Sequence, residues 1–318
     1  MTGCTRAPIE SHLKDYAGRL SNVLGQPIVL KPSTDTLRFP AAVDLRVTIP
    51  EITINLREFY ALDNCEVSTL IAQRNTALGK TQLPSTRYVY EVNLIDGLQQ
   101  CLAQADEPNQ RQALTQWLTQ KSSNVQRVWA DMLQNSSEIK QTLTDNQGYF
   151  TAHSDARLAE YKTSWHYIIS LYQHHEDVDA EKLENALNFL RQNPLFARLW
   201  RTQSLLSNQL EQLNEQLLAI EPNLLCDSAS NQQQAEYLKN VFQLFFIDRI
   251  QPFAAQLDQN QYALRPIIDS LQDNSDISEA LRVFLNARQQ SFLRYQNSVL
   301  VHVKFWQRLF TRCDLSPN

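Results

Sequence analysis

Five cysteines, at positions 4, 65, 101, 226 and 313, carry the chemistry that spacing constrains most in this chain. They stand too far apart for the Cys-x-x-Cys spacing of zinc ribbons or thioredoxin-like sites, which leaves disulfides or buried free thiols. His174, His175, Glu176 and Asp177 place four metal-ligand types in a row. Successive side chains on a helix point about 100° apart, so these four do not converge on one ion, and a solvated helix end accounts for them. Gly79-Lys80-Thr81 copies the end of a phosphate-binding loop, but Arg74 stands where the first glycine of that motif belongs and no apolar strand precedes it. A helix end and loop is the better reading. Around the same turn, Arg74, Lys80, Ser85 and Arg87 could hold an anion at the start of a following helix, the alternative being capping and ion pairing between helices. His166 and His302 sit beside Trp165 and Phe305, where a lone histidine reads as a packing or surface residue. No Gly-x-Ser-x-Gly elbow is present, so no catalytic residue, metal site or cofactor is assigned.

The elements that must position these residues are helices. Glycine occurs at 3, 18, 25, 79, 97 and 148 and nowhere after, and sheets with tight hairpins need glycine in their turns. Leu199, Leu206, Leu210, Leu213 and Leu217 recur with the period of one helix face. From Ile277 a stripe of apolar residues runs through Leu281, Phe284, Phe292, Tyr295 and Trp306 to Phe310, predicting a last helix of roughly 50 Å. Another helical stretch covers about 232–271, and Pro252 and Pro266 should kink or break it. Further helices are predicted at about 109–135, 154–174, 180–192 and 194–220, with Pro194 suited to a first helical position. The glutamines scattered along them read as solvated faces.

Residues 26–56 differ, carrying Pro27, Pro32, Pro40 and Pro50 among Val, Ile and Thr. Val43, Leu45, Val47 and Ile49 alternate as in a strand, yet no second strand group exists to pair with them. The run should lie extended across the helices. The expected fold is mainly α: an elongated antiparallel helical bundle with a short extended Pro-rich segment near the N-terminus. It forms one domain over 1–318, softer at 135–154 around Gly148.

Helix geometry bears on the cysteines. A helix from Asn64 to Gly79 and a second from Ser85 make an antiparallel hairpin in which Cys65 and Cys101 each lie roughly 20 Å from the turn, at the open end. If the helix following Cys226 packs antiparallel on the one closed by Cys313, that pair meets as well. Crossed pairings would need a different packing, and four reduced thiols are the other alternative. Two disulfides would place the protein outside the reducing cytosol.

With 29 Lys and Arg against 34 Asp and Glu, the net charge of -5 argues against nucleic acid as a partner. No run reaches the roughly 18 apolar residues of a membrane span. Composition therefore excludes disorder and membrane spanning without indicating an activity.

The opening Met-Thr-Gly-Cys resembles the end of a bacterial lipoprotein signal, in which the cysteine after a small residue is cut and lipidated. The apolar region such a cysteine needs does not precede it, so lipidation of Cys4 calls for a start upstream of Met1. Together with DYAGRLSNVL (15–24) and CEVSTLIAQRNTALGKTQLPSTRYVYE (65–91), the chain is similar to a family of predicted gammaproteobacterial lipoproteins known only as domain of unknown function 3080. The resemblance implies a location in the cell envelope on the periplasmic side. Thr5, standing where an Asp would retain an anchored protein, implies the outer membrane. The reading is a non-enzymatic envelope scaffold held by a lipid on Cys4 and presenting helices to an envelope protein. Its alternative is a periplasmic ligand-binding protein or enzyme with a pocket near the 74–91 hairpin.

Overall fold

The computed structural model describes residues 9–32, 36–50, 65, 67–74, 82–151, 154, 156–221, 224 and 226–315. Among them the architecture is helical and contains no strand. The helices are α1 (Ile9–Leu24), α2 (Val67–Arg74), α3 (Pro84–Gln104), α4 (Pro108–Asn135), α5 (Ser137–Thr144), α6 (Leu158–Ser170), α7 (Ala180–Gln192), α8 (Leu195–Ile220), α9 (Ala229–Val241), α10 (Gln251–Gln272) and α11 (Glu279–Arg312). A π-helical segment, Phe242–Ile250, joins α9 to α10 without a break.

Most boundaries have local causes. Gly25 adopts φ +66° just past the end of α1, the left-handed conformation that terminates a helix and favours glycine. Ser136, Asp179, Ser228 and Ser278 cap α5, α7, α9 and α11 by accepting backbone N–H bonds. Pro252 does not break the 229–272 rod, because the chain is already in wide π turns up to Ile250 and Pro252 falls in the first turn of α10, where a missing N–H costs little. Pro266 lies inside α10, which continues through it. Pro194 occupies the N-cap of α8, with φ -75° and ψ 63°, and the helix begins one residue later than predicted. The region around 135–154 holds α5, which buries Ile139 and Leu143. Of the predicted 64–79 helix the described part is α2, and Gly79, Lys80 and Thr81 lie outside the described residues.

Side-chain pairings fix the helix directions. Ala254 with Tyr295 and Gln272 with Asn286 make α10 antiparallel to α11. Glu211 with Arg294, Asn214 with Ser298 and Glu221 with Arg308 make α8 parallel to α11, an arrangement the long return through 229–272 allows. Tyr16 with Phe246 and Val23 with Gln234 set α1 antiparallel to α9 and the π segment. One large core links these helices, while a smaller cluster of Val67, Ile71, Leu94, Leu98, Leu114 and Trp117 holds α2 on the α3–α4 hairpin. Both predicted pairs close as disulfides: Cys65–Cys101 and Cys226–Cys313, with Cα atoms 5.7 and 5.4 Å apart.

The Pro-rich segment is extended as predicted but not uniformly. A turn at 41–44, with Asp44 N–H bonded to Ala41 O, interrupts the alternation, so Leu45 is buried while Val43 points to solvent. Residues 28–32 form a strap across α8.

Candidate functional site

Extended backbone needs partners for its N–H and C=O groups, and among the described residues no strand supplies them. Three glutamines of α8 do so instead. Gln216 accepts from Val29 N–H at 2.9 Å and donates to Val29 O at 3.0 Å. Gln212 accepts from Lys31 N–H at 2.7 Å, and Gln209 donates to Lys31 O at 2.6 Å. Residues 209, 212 and 216 share one helix face, while 29 and 31 share one edge of an extended chain, so the amides act as a substitute strand. At the other end Ile28 N–H bonds to Ser21 Oγ at 2.8 Å, tying the strap to α1. Composition alone marked these glutamines as solvated; their spacing, set against an extended run with no strand to pair with, was the signal that could have found them.

Between α1, the strap and α8 lies a cleft of about 590 Å³. Leu13, Ala17, Ile28, Leu30 and Leu205 line it, and Glu10, Lys14 and Tyr149 bring polar groups to it. Burial, with the Glu10 carboxylate next in effect, raises the pKa of the Tyr149 phenol, and the Arg201 guanidinium lies 5.0 Å from its ring centre. This cleft is distant in sequence from the 74–91 hairpin where a pocket was anticipated.

Behind the cleft-forming helix sits a buried polar knot centred on His302. Its Nε2 receives the Trp306 indole N–H at 3.0 Å and the Tyr16 hydroxyl at 2.9 Å, while Nδ1 lies 2.8 Å from Asn214 Oδ1. An indole only donates, so Nε2 carries no proton and Nδ1–H donates to Asn214. Asn214 passes the chain on to Ser298 O at 3.0 Å. Desolvation among Phe242, Phe246 and Trp306 pushes the imidazole down to about 3, so it is neutral at ordinary pH. Such a histidine, fully buried and held by three side chains, joins α1, α8 and α11.

The described anion-site candidates each engage another side chain. Ser85 donates to Glu184 Oε1 at 2.6 Å and Arg87 to Asp131 Oδ2 at 3.3 Å, each facing a carboxylate on another helix. Arg74 stacks over the Tyr90 ring at 6.0 Å, and Lys80 lies outside the described residues. The His174–Asp177 run forms a turn after α6 in which both imidazoles face Glu176, at 3.5 and 3.6 Å. Among the described residues no group of three or more His, Cys, Asp or Glu side chains could hold a metal ion. Cys4 also falls outside them. Half-buried Asp258 is pushed up to about 6 by desolvation, and its Oδ1 has no hydrogen-bond partner.

No described helix is long and apolar enough to cross a membrane. Neither a curated protein nor a solved structure matches the chain. One family does, described as "Protein of unknown function (DUF3080)", over residues 13–317.

Proposed function

The chain belongs to the DUF3080 family of proteins of unknown function, and on that footing we propose that it is a cell-envelope lipoprotein acting as a non-enzymatic helical scaffold. The two disulfides carry this reading. Each joins helix ends far apart in sequence, and bonds of that kind persist in oxidising compartments and are rare in reducing ones. An odd fifth cysteine, Cys4, is then available for a lipid, which would hold the first turn of α1 near the periplasmic face of the outer membrane. The exposed faces of the helices are what such an anchored body offers to an envelope protein.

Mass spectrometry of the non-reduced protein, expressed from its native locus with any upstream coding sequence, tests the proposal. Lipidated Cys4 with both disulfides intact is the expected result. An unmodified Met1 with five free thiols would overturn it.

A second reading has its own observation. The cleft between α1, the strap and α8 falls within the roughly 300–1,000 Å³ typical of ligand sites and has mostly apolar walls with a few polar groups. An envelope scaffold can carry a ligand there as well.

A further inference from the structure

We propose that the cleft between α1, the 28–32 strap and α8 binds a single-chain amphiphile, with the acyl tail on its apolar walls and a carboxylate or phosphate head at Lys14. This rests on the second reading, in which the cleft holds a ligand, and is independent of the envelope reading. Half-buried Leu30, backed by the buried Leu13, Ala17, Ile28 and Leu205, supplies an apolar wall on which a hydrocarbon chain can lie. The wall is fixed in place before any ligand arrives, because the glutamine amides of α8 hold one end of the strap and Ser21 holds the other. Gly18 deepens the cleft on the α1 side: a Cβ built there meets nothing within 4 Å.

Charge selects the head. The Glu10 carboxylate acts electrostatically on the Tyr149 phenol, whereas Lys14, one turn along the same helix, is exposed and makes no ion pair among the described residues. Arg201 does not line the cleft but stacks on Tyr149, which does, so the surroundings carry two cations, Lys14 and Arg201, against the one carboxylate of Glu10. A tail against apolar walls with an anion at the rim satisfies both features; an uncharged hydrocarbon would satisfy only the first.

Titration of the full chain with cis-parinaric acid tests the proposal, followed by displacement with palmitate or lysophosphatidate. The expected result is a saturable rise in fluorescence at one probe per chain. The more effective competitor identifies the head as carboxylate or phosphate. Gly18→Leu places a side chain in the cleft at a helical position with room for it, so it should raise Tm while weakening the probe at least tenfold. Lys14→Glu should weaken the probe at least fivefold and leave the affinity for hexadecanol, obtained after allowing for the weaker probe, unchanged. Absence of saturable binding by the native chain would overturn the proposal, as would equal binding by a folded Gly18→Leu chain.

Discussion

At the scale of single residues the deciding quantity is the cost of burying a polar group. His302 illustrates it: fully enclosed, it keeps its proton on Nδ1 because the Trp306 N–H leaves no alternative at Nε2. The native imidazole titrates near 3 and an unfolded one near 6.5, so below 6.5 the unfolded chain binds a proton that the native chain refuses. Its contribution to stability is complete above about pH 6.5 and is lost as pH falls towards 3, at up to about 1.4 kcal/mol per pH unit. Urea midpoints measured from pH 7 to 4 should fall more steeply for the native chain than for His302→Gln; parallel slopes would count against this account. Asp258 acts with the opposite sign. Its carboxyl is raised to about 6 by desolvation, so stability is lost as pH rises from about 4 through 6. Asp258→Asn should therefore raise Tm at pH 7.5 and give no gain at pH 3.5, which thermal unfolding at the two pH values would show.

Two glycines within helices show that the element scale has its own rule. Alanine is favoured over glycine in a helix by about 1 kcal/mol, so both positions look improvable from propensity alone. At Gly18 a new Cβ meets nothing, and Gly18→Ala should stabilise by up to about that amount. At Gly97 a new Cβ would stand 2.7 Å from Cγ2 of buried Val67, the residue that seats α2 on α3. Gly97→Ala should destabilise despite its better propensity, and a pair of thermal melts with opposite shifts would verify the contrast. The strap offers a second test, because its backbone bonds go to side chains. Truncating Gln212 and Gln216 to Ala should cost about 1 kcal/mol each and, more specifically, speed hydrogen exchange at the Val29 and Lys31 amides while sparing the Ile28 amide, which Ser21 holds. Uniform faster exchange along the strap would show that the ladder is not what holds it.

For the whole molecule, the disulfides limit how far the unfolded chain can expand. Closing a separation of 36 residues stabilises by about 4 kcal/mol in chain-entropy terms, and one of 87 by about 4.5. Denaturation of Cys65→Ser/Cys101→Ser and Cys226→Ser/Cys313→Ser chains should show losses of that order, slightly larger for the second pair. Both pairings were legible beforehand, since rise per residue places Cys65 and Cys101 at the open end of a hairpin and an antiparallel return does the same for Cys226 and Cys313. The same periodicity specified a mainly α chain and most helix limits, because a 3.6-residue apolar repeat has no other way to bury one face. The absence of a second strand group likewise told that the Pro-rich segment would lie extended across helices. What only the tertiary structure decided were relations between residues remote in sequence: that α8 runs parallel to α11, that Gln209, Gln212 and Gln216 hold the strap, that Ser85 and Arg87 face Glu184 and Asp131, and that a cleft opens beside α1. Local pattern fixes which face of a helix is apolar, but amides, hydroxyls and guanidinia accept partners in any direction, so their roles are settled only when another element arrives beside them.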